Sequence, residues 1–149
     1  MSEKLIMRRA VPDDIPNLRL LMKQLCDTQN VPFNEKRFKW GVKKRLFDRL
    51  QKQGMFVAED PEPPHKLLGM ITAELVIDPY GSAEGYIRTV VVDESARGRG
   101  VGKRLLQASL EYLKEMGVEV IRINSRGSKT KYFESFGFKP TYTVMEYRP

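Results

Sequence analysis

Cysteine and histidine are nearly absent from this chain, and their scarcity limits the chemistry available to it. The 149 residues include one cysteine, Cys26, and one histidine, His65. A single cysteine excludes an internal disulfide framework, and one cysteine with one histidine cannot build a zinc site. Cys26 falls within an apolar helical pattern and His65 within a proline-rich stretch. We therefore expect no bound metal and no cysteine nucleophile.

Long apolar runs are also missing. No run approaches the ~20 residues that a membrane-spanning helix needs. The N-terminal sequence Met-Ser-Glu-Lys lacks the apolar region of a signal peptide. We therefore expect a cytoplasmic protein. With 41% hydrophobic residues, the chain can bury a sizeable core, and we expect one domain over residues 1–149.

Positive charge is concentrated in one segment. The net charge is +7, and residues 34–53 hold eight Lys or Arg against Glu35 and Asp48, a local charge of +6. Such a segment usually marks a solvated helix face. Nucleic acid ranks last among the expected partners, because no helix-turn-helix, zinc finger or RNP-type strand accompanies the basic segment.

Hydrophobic periodicity and turn residues predict an α/β (α+β) chain with a mixed sheet and about four helices, in the order β-α-α-β-β-β-α-β-α-β. The predicted strands cover residues 4–10, 55–59, 67–77, 84–93, 118–124 and 138–147. The first predicted helix begins at Pro12, and the other three cover residues 34–53, 100–116 and 128–135. The strands at 67–77 and 84–93 are expected to form a hairpin.

The most informative stretch runs from residue 90 to 106, where a hydrophobic strand, a glycine-rich loop and an amphipathic helix follow one another. The glycines at 98, 100 and 102 allow positive φ and a close approach of a ligand. Unpaired N–H groups of the loop and first helical turn add partial positive charge. Four basic side chains lie in or beside the loop: Arg97, Arg99, Lys103 and Arg104. These features predict a pyrophosphate-binding loop.

The spacing of the loop residues excludes two common phosphate motifs. A P-loop needs a Lys-Ser/Thr pair, and a dinucleotide fingerprint would need a third glycine where Lys103 stands. What remains is Arg97-x-x-Gly100-x-Gly102 directly after a strand. This pattern resembles the acetyl-CoA motif of the GNAT superfamily of N-acetyltransferases. The element order is also similar over the whole chain, which implies the GNAT fold, with a mostly antiparallel sheet whose fourth and fifth strands splay apart.

The resemblance implies acetyl-CoA as co-substrate, with no metal. Backbone groups of the motif strand would bind the pantetheine arm, and one N–H would polarise the thioester carbonyl. Glu94 stands where the family usually has proline. The residues expected to bind the cofactor are Val90, Val91, Val92, Arg97, Gly98, Arg99, Gly100, Val101, Gly102, Lys103 and Tyr132.

A second family element is the sequence Tyr132-Phe133-Glu134-Ser135-Phe136-Gly137-Phe138. It is similar to the family pattern Tyr-Glu-x-x-Gly-Phe, whose tyrosine protonates the departing thiolate. Here Phe133 takes that position, and Tyr132 lies one residue earlier, about 100° around a helix. Two hypotheses stay open: Tyr132 is the general acid, or it packs on the cofactor arm while the thiol leaves unaided as thiolate.

The acceptor side departs further from the family. Arg88 stands where many members have a glutamate that serves as the base candidate. This substitution argues against a polycationic acceptor, and we expect Arg88 either to face a carboxylate or phosphate of the acceptor or to lie on the surface. Glu74 and Glu84 are the remaining base candidates on the central strands.

The family places the acceptor pocket near residues 29–40, 78–80 and 142 of this chain. Phe33 and Tyr80 are therefore expected to contact substrate together with Arg88. The expected function is transfer of an acetyl group from acetyl-CoA to a primary amine of a small molecule or peptide, by direct attack on the thioester. A non-catalytic acyl-CoA-binding regulatory module and a protein N-terminal or lysine acetyltransferase are the alternatives. A homodimer stays open, and no membrane partner is expected.

Overall fold

The computed structural model describes residues 4–49 and 54–149. Within these residues the strands are β1 (Ile6–Arg9), β2 (Met55–Glu59), β3 (Leu67–Ile77), β4 (Ala83–Val92) and β5 (Val120–Ile123). The helices are α1 (Ile15–Gln29), α2 (Glu35–Phe47), α3 (Val101–Glu115) and α4 (Thr130–Glu134). None of these helices is long and apolar enough to cross a membrane.

The five strands form one sheet in the order β1-β2-β3-β4-β5. The first four are antiparallel neighbours, and β5 lies parallel to β4. A parallel pair needs a long crossover, and α3 provides it. The expected mixed, mostly antiparallel sheet and the β3–β4 hairpin are confirmed. Most of β3 is buried because helices cover both faces of the sheet.

One face of the sheet is covered by α3. Leu105 and Leu113 of this helix are fully buried, and they belong to the same apolar cluster as Ile71 of β3 and Ile87 of β4. The other face is covered by α1 and α2, where Leu18 and Val42 join a separate cluster that contains Val91. Successive side chains of a strand point to opposite faces, so β4 contributes to both clusters.

Two predicted segments differ in the structure. The helix expected over 34–53 ends at Phe47, and residues 50–53 lie outside the described residues. The strand expected over 138–147 is not formed, and the chain after Phe138 has no regular secondary structure within the described residues. Pro140 has no N–H to donate to a ladder, and Tyr142, Val144 and Tyr147 stay exposed.

Candidate active site

The strands β4 and β5 separate halfway along β4. Their pairing begins where Glu84 lies opposite Val120 and ends where Ile87 lies opposite Ile123. Beyond Ile87, β4 continues to Val92, and no strand of the described residues pairs with it on that side. The resemblance predicted this splay, and it leaves backbone groups of the 90–92 segment open to a ligand.

A β-bulge lies at the point of separation. Thr89 of β4 pairs with Thr72 of β3, whereas Ile87 pairs with Ala73. Arg88 is therefore an extra residue that has no partner position on β3. A bulge bends its strand and increases the local twist. The bulge accordingly coincides with the position at which β4 diverges from β5.

The loop after β4 has the conformation that its glycines permit. Gly98 and Gly100 take φ of +80° and +77°, values that side-chain-bearing residues rarely adopt. Gly100 precedes α3, and no side chain caps this helix end within the described residues. The first-turn N–H groups and the helix dipole thus remain available to an anion. The loop thus offers backbone donors to an anion, and its predicted binding of a pyrophosphate group stays a prediction.

Arg88 lies in a network of charges on the α1/α2 face of the sheet. Its Nε donates to Oε2 of Glu74 at 2.8 Å, and Nη2 of Arg45 from α2 lies 3.1 Å from Oε1 of the same carboxylate. The Arg88 guanidinium also lies 4.5 Å from the Tyr86 ring centroid. Partial burial by itself raises the pKa of Glu74, but the two arginines bring it below its ordinary value.

Glu84 belongs to a second ion pair, nearer the paired ends of β4 and β5. Its Oε2 lies 2.8 Å from Nη1 of Arg122 and accepts a hydrogen bond from the Tyr86 hydroxyl at 3.1 Å. The Arg122 guanidinium lies 5.1 Å from the Tyr142 ring centroid. Four residues of strand span about 13 Å, so Glu84 lies well away from Arg88. Of the two base candidates, Glu74 is the one next to the splay.

The two aromatic residues of α4 face different surroundings. Phe133 packs against the α3-side cluster, in the position where the family has its tyrosine. Tyr132 is 43% exposed, and its ring lies edge-on to Phe133 and Phe136 at centroid distances of 5.4 and 5.2 Å. Partial burial raises the pKa of its hydroxyl. The structure thus turns Phe133, not Tyr132, toward the sheet.

The two remaining substrate candidates do not join the Arg88 network. Phe33 lies 5.5 Å from the Phe38 ring centroid and stacks with Arg19. Tyr80 projects from the β3–β4 turn and is 94% exposed. Arg88 contacts Glu74 and Tyr86 instead.

Sequence reasoning missed Arg45, Tyr86 and Arg122 beside the splayed strands. It also missed Gln24 and Asp93, which are hydrogen-bonded to each other at the start of the loop. Asp93 had a usable signal, since it is the residue between the motif strand and the loop. The others are brought in from distant segments by the strand register and helix packing. The described residues contain no group of three or more His, Cys, Asp or Glu side chains that could hold a metal ion.

Comparison with known families settles the relationship that the splayed strands and the loop indicate. The model of the acetyltransferase (GNAT) family matches residues 19–138. The chain belongs to the GNAT acetyltransferase family. The expected family and fold class are confirmed, and the enzyme class that goes with this family is that of acyltransferases.

Several curated relatives match the GNAT chain over part of its length. A probable glucosamine 6-phosphate N-acetyltransferase 2 of Oryza sativa subsp. japonica is 32% identical over 87 residues, which cover 56% of this chain and 52% of the relative. The glucosamine 6-phosphate N-acetyltransferase of Trypanosoma brucei brucei is 33% identical over 82 residues, which cover 52% of this chain and 54% of the relative. A mycothiol acetyltransferase of Nocardia farcinica is 28% identical over 97 residues, which cover 63% of this chain and 32% of the relative. The chain therefore spans about half or less of the relatives it matches.

Solved structures share the fold of this GNAT chain along nearly its whole length. A structure of AAC(6')-Iy in complex with a bisubstrate analogue of coenzyme A and acetylneamine superposes with a TM-score of 0.77 at 20% identity, covering 99% of both chains. A Trypanosoma brucei acetyltransferase superposes with a TM-score of 0.74 at 23% identity, covering 98% and 100%. At these identities the likeness establishes the fold alone.

Proposed function

We propose that this chain transfers an acetyl group from acetyl-CoA to the primary amine of a small molecule that also carries a phosphate or carboxylate. When bound, acetyl-CoA supplies the acetyl thioester that the amine attacks. The loop from Arg97 to Lys103 would hold its diphosphate, and the open backbone of Val90–Val92 would hold its pantetheine arm. The GNAT family and the uncapped N-terminus of α3 support this assignment.

The charge around Arg88 carries the choice of an anionic acceptor. Two guanidinium groups, those of Arg45 and Arg88, share the single carboxylate of Glu74, so the network has one positive charge in excess. Arg88 reaches Glu74 through Nε, so N–H groups on its two terminal nitrogens can serve a ligand. Such a fork is well suited to oxygen pairs of phosphate or carboxylate groups. Arg88 would therefore bind the acceptor's anionic group beside the splay.

The names of the curated relatives agree with this acceptor class. Glucosamine 6-phosphate carries both a primary amine and a phosphate, and two of the relatives are named for its acetylation. The matches also include enzymes named for mycothiol and for aminoglycosides, so the family name by itself does not select the acceptor.

Removal of a proton from the acceptor's ammonium group is needed before attack, and neither candidate carboxylate is free for it. Glu74 has a lowered pKa and is held by two arginines, and Glu84 is paired with Arg122. A carboxylate of lowered pKa is a weak general base. We expect Glu74 to position Arg88, and water in the open splay to carry the proton away.

The test is thiol release from acetyl-CoA with matched acceptors, glucosamine and glucosamine 6-phosphate. We expect the phosphorylated acceptor to have the higher kcat/KM. Arg88→Met should raise the KM for glucosamine 6-phosphate about tenfold or more, the scale of a hydrogen bond to a charged group, and leave that for glucosamine unchanged. Arg148→Met, which removes an exposed arginine near the C-terminus, is the matched control.

An equal loss for both acceptors in Arg88→Met, or no change for either, would contradict the proposed role of Arg88. Binding of coenzyme A without thiol release for any amine, including amino acids, polyamines and peptides, would instead support the regulatory alternative. Phe133 in the usual tyrosine position is the observation that favours that alternative.

A further inference from the structure

The carboxylate of Asp93 joins three parts of the structure at the start of the loop. Asp93 follows β4 directly and is 2% exposed. Its carboxylate accepts hydrogen bonds from the backbone N–H of Ser95 at 3.1 Å and from the Ser95 hydroxyl. Nε2 of Gln24 in α1 donates to it at 2.7 Å, and Nζ of Lys66, just before β3, lies 3.1 Å away.

Gln24 holds two consecutive residues of this turn at once. While its Nε2 donates to Oδ1 of Asp93, its Oε1 accepts a hydrogen bond from the backbone N–H of Glu94 at 3.1 Å. Gln24 is half-buried in α1, 69 positions from Asp93 along the chain. Both polar ends of its amide are thus engaged by the segment that leads into the loop.

The rest of the loop is built on this turn. Ala96 is fully buried and its N–H bonds the Asp93 carbonyl at 2.9 Å. The N–H of Arg99 in turn bonds the Ala96 carbonyl at 3.3 Å, and Gly98 and Gly100 on either side of Arg99 are exposed. We therefore expect the direction of the loop N–H groups to depend on how the turn at Asp93 is held.

We propose that Gln24 is a positioning residue for the diphosphate of coenzyme A, acting on the loop through Asp93 and Glu94 without touching the ligand. This inference rests on the proposed use of acetyl-CoA. It assigns to α1 a part in holding the cofactor loop, although α1 lies on the acceptor-side face of the sheet. Loss of the Gln24 amide would leave the pantetheine-binding strand intact and release the turn that orients the loop.

The experiment compares two ligands that differ in the diphosphate. Coenzyme A and pantetheine are titrated into the wild type and Gln24→Met, which keeps the length of the side chain and its helical preference but has no hydrogen-bonding amide. We expect the Kd for coenzyme A to rise about tenfold, the effect of two lost hydrogen bonds, one of them to a charged group. The Kd for pantetheine should stay within about twofold, since no diphosphate is involved.

Gln24→Glu is the second variant, and it places a carboxylate against that of Asp93. Repulsion between like charges should weaken coenzyme A binding at least as much as Gln24→Met does. The matched controls are Gln107→Met and Gln107→Glu, at an exposed position of α3, and both should bind coenzyme A as the wild type does.

An unchanged Kd for coenzyme A in both Gln24 variants would overturn the inference while leaving the proposed function intact. An equal loss for coenzyme A and pantetheine would also overturn it, because a general weakening of the fold affects both ligands. A wild-type chain that binds no coenzyme A would overturn the proposed function and the inference together.

Discussion

Asp93→Asn should lower the stability of the protein in a way that depends on pH. Burial alone would raise the pKa of Asp93, but hydrogen bonds from Ser95, Gln24 and Lys66 lower it from 3.8 to about 2. A carboxyl group whose pKa is lowered on folding stabilises the folded state above its unfolded pKa. That contribution is complete above about pH 5 and is lost as the pH falls toward 2.

The size of the effect follows from the two pKa values. Each unit of pKa difference corresponds to about 1.4 kcal/mol, so the ionised Asp93 contributes about 2 kcal/mol near neutral pH. Because the side chain is 2% exposed, solvent screens this contribution little. The free energy of unfolding of wild type and Asp93→Asn is measured by urea titration at pH 7 and pH 2.5. The difference should be about 2 kcal/mol or more at pH 7 and should shrink to less than about half of that at pH 2.5.

Glu111→Gln removes an exposed carboxylate from α3 and serves as the control. It should change the unfolding free energy little at either pH. A stability difference for Asp93→Asn that is the same at pH 7 and pH 2.5 would refute the reasoning, since the loss would then come from shape and not from the ionised carboxylate.

Four further substitutions test the structure. Ser109→Ala should raise the free energy of unfolding by about 1 kcal/mol in urea titrations, because the Ser109 hydroxyl is buried with no hydrogen-bond partner among the described residues. A variant less stable than the wild type would show that the hydroxyl is hydrogen-bonded. Gly100→Ala should lower the free energy of unfolding by about 1–2 kcal/mol, since the φ angle of Gly100 is +77°. Gly102→Ala should be tolerated, because the added Cβ would lie at an ordinary contact distance of 3.5 Å from Val92. If Gly102→Ala were the more harmful of the two in unfolding and coenzyme A titrations, this reasoning would be contradicted. Tyr132→Phe should leave kcat and its pH profile unchanged, and a large fall in kcat at constant KM would restore the general acid role.

The loop could be predicted from the sequence because its signals are local. The valines of the strand, the glycine spacing and the apolar period of α3 lie within one short stretch, and the helix expected over 100–116 is observed as Val101–Glu115. Each part of that motif depends on neighbours a few residues away. Local preference and final conformation therefore agree there.

The acceptor side could not be predicted in the same way. Arg88 meets Glu74 only because β3 and β4 pair in one register, and Arg45 reaches them only because α2 packs on that face. The alternation in the C-terminal segment indicated a strand, but a strand also needs a partner edge, which no local pattern specifies. Contacts that depend on tertiary packing could therefore not be predicted from the sequence.

The bulge in β4 decides which way every later side chain of that strand points. Ile87, before the bulge, faces α3, and after it Val90 and Val92 face α3 while Val91 faces α1. If the same residues alternated without a bulge, Val91 would share the face of Ile87 and the valines would exchange sides. Because the bulge absorbs Arg88, deletion of this position should remove the bulge and keep each valine on its present side. The alternation of the cofactor strand therefore does not depend on the residue that carries the cation beside the splay.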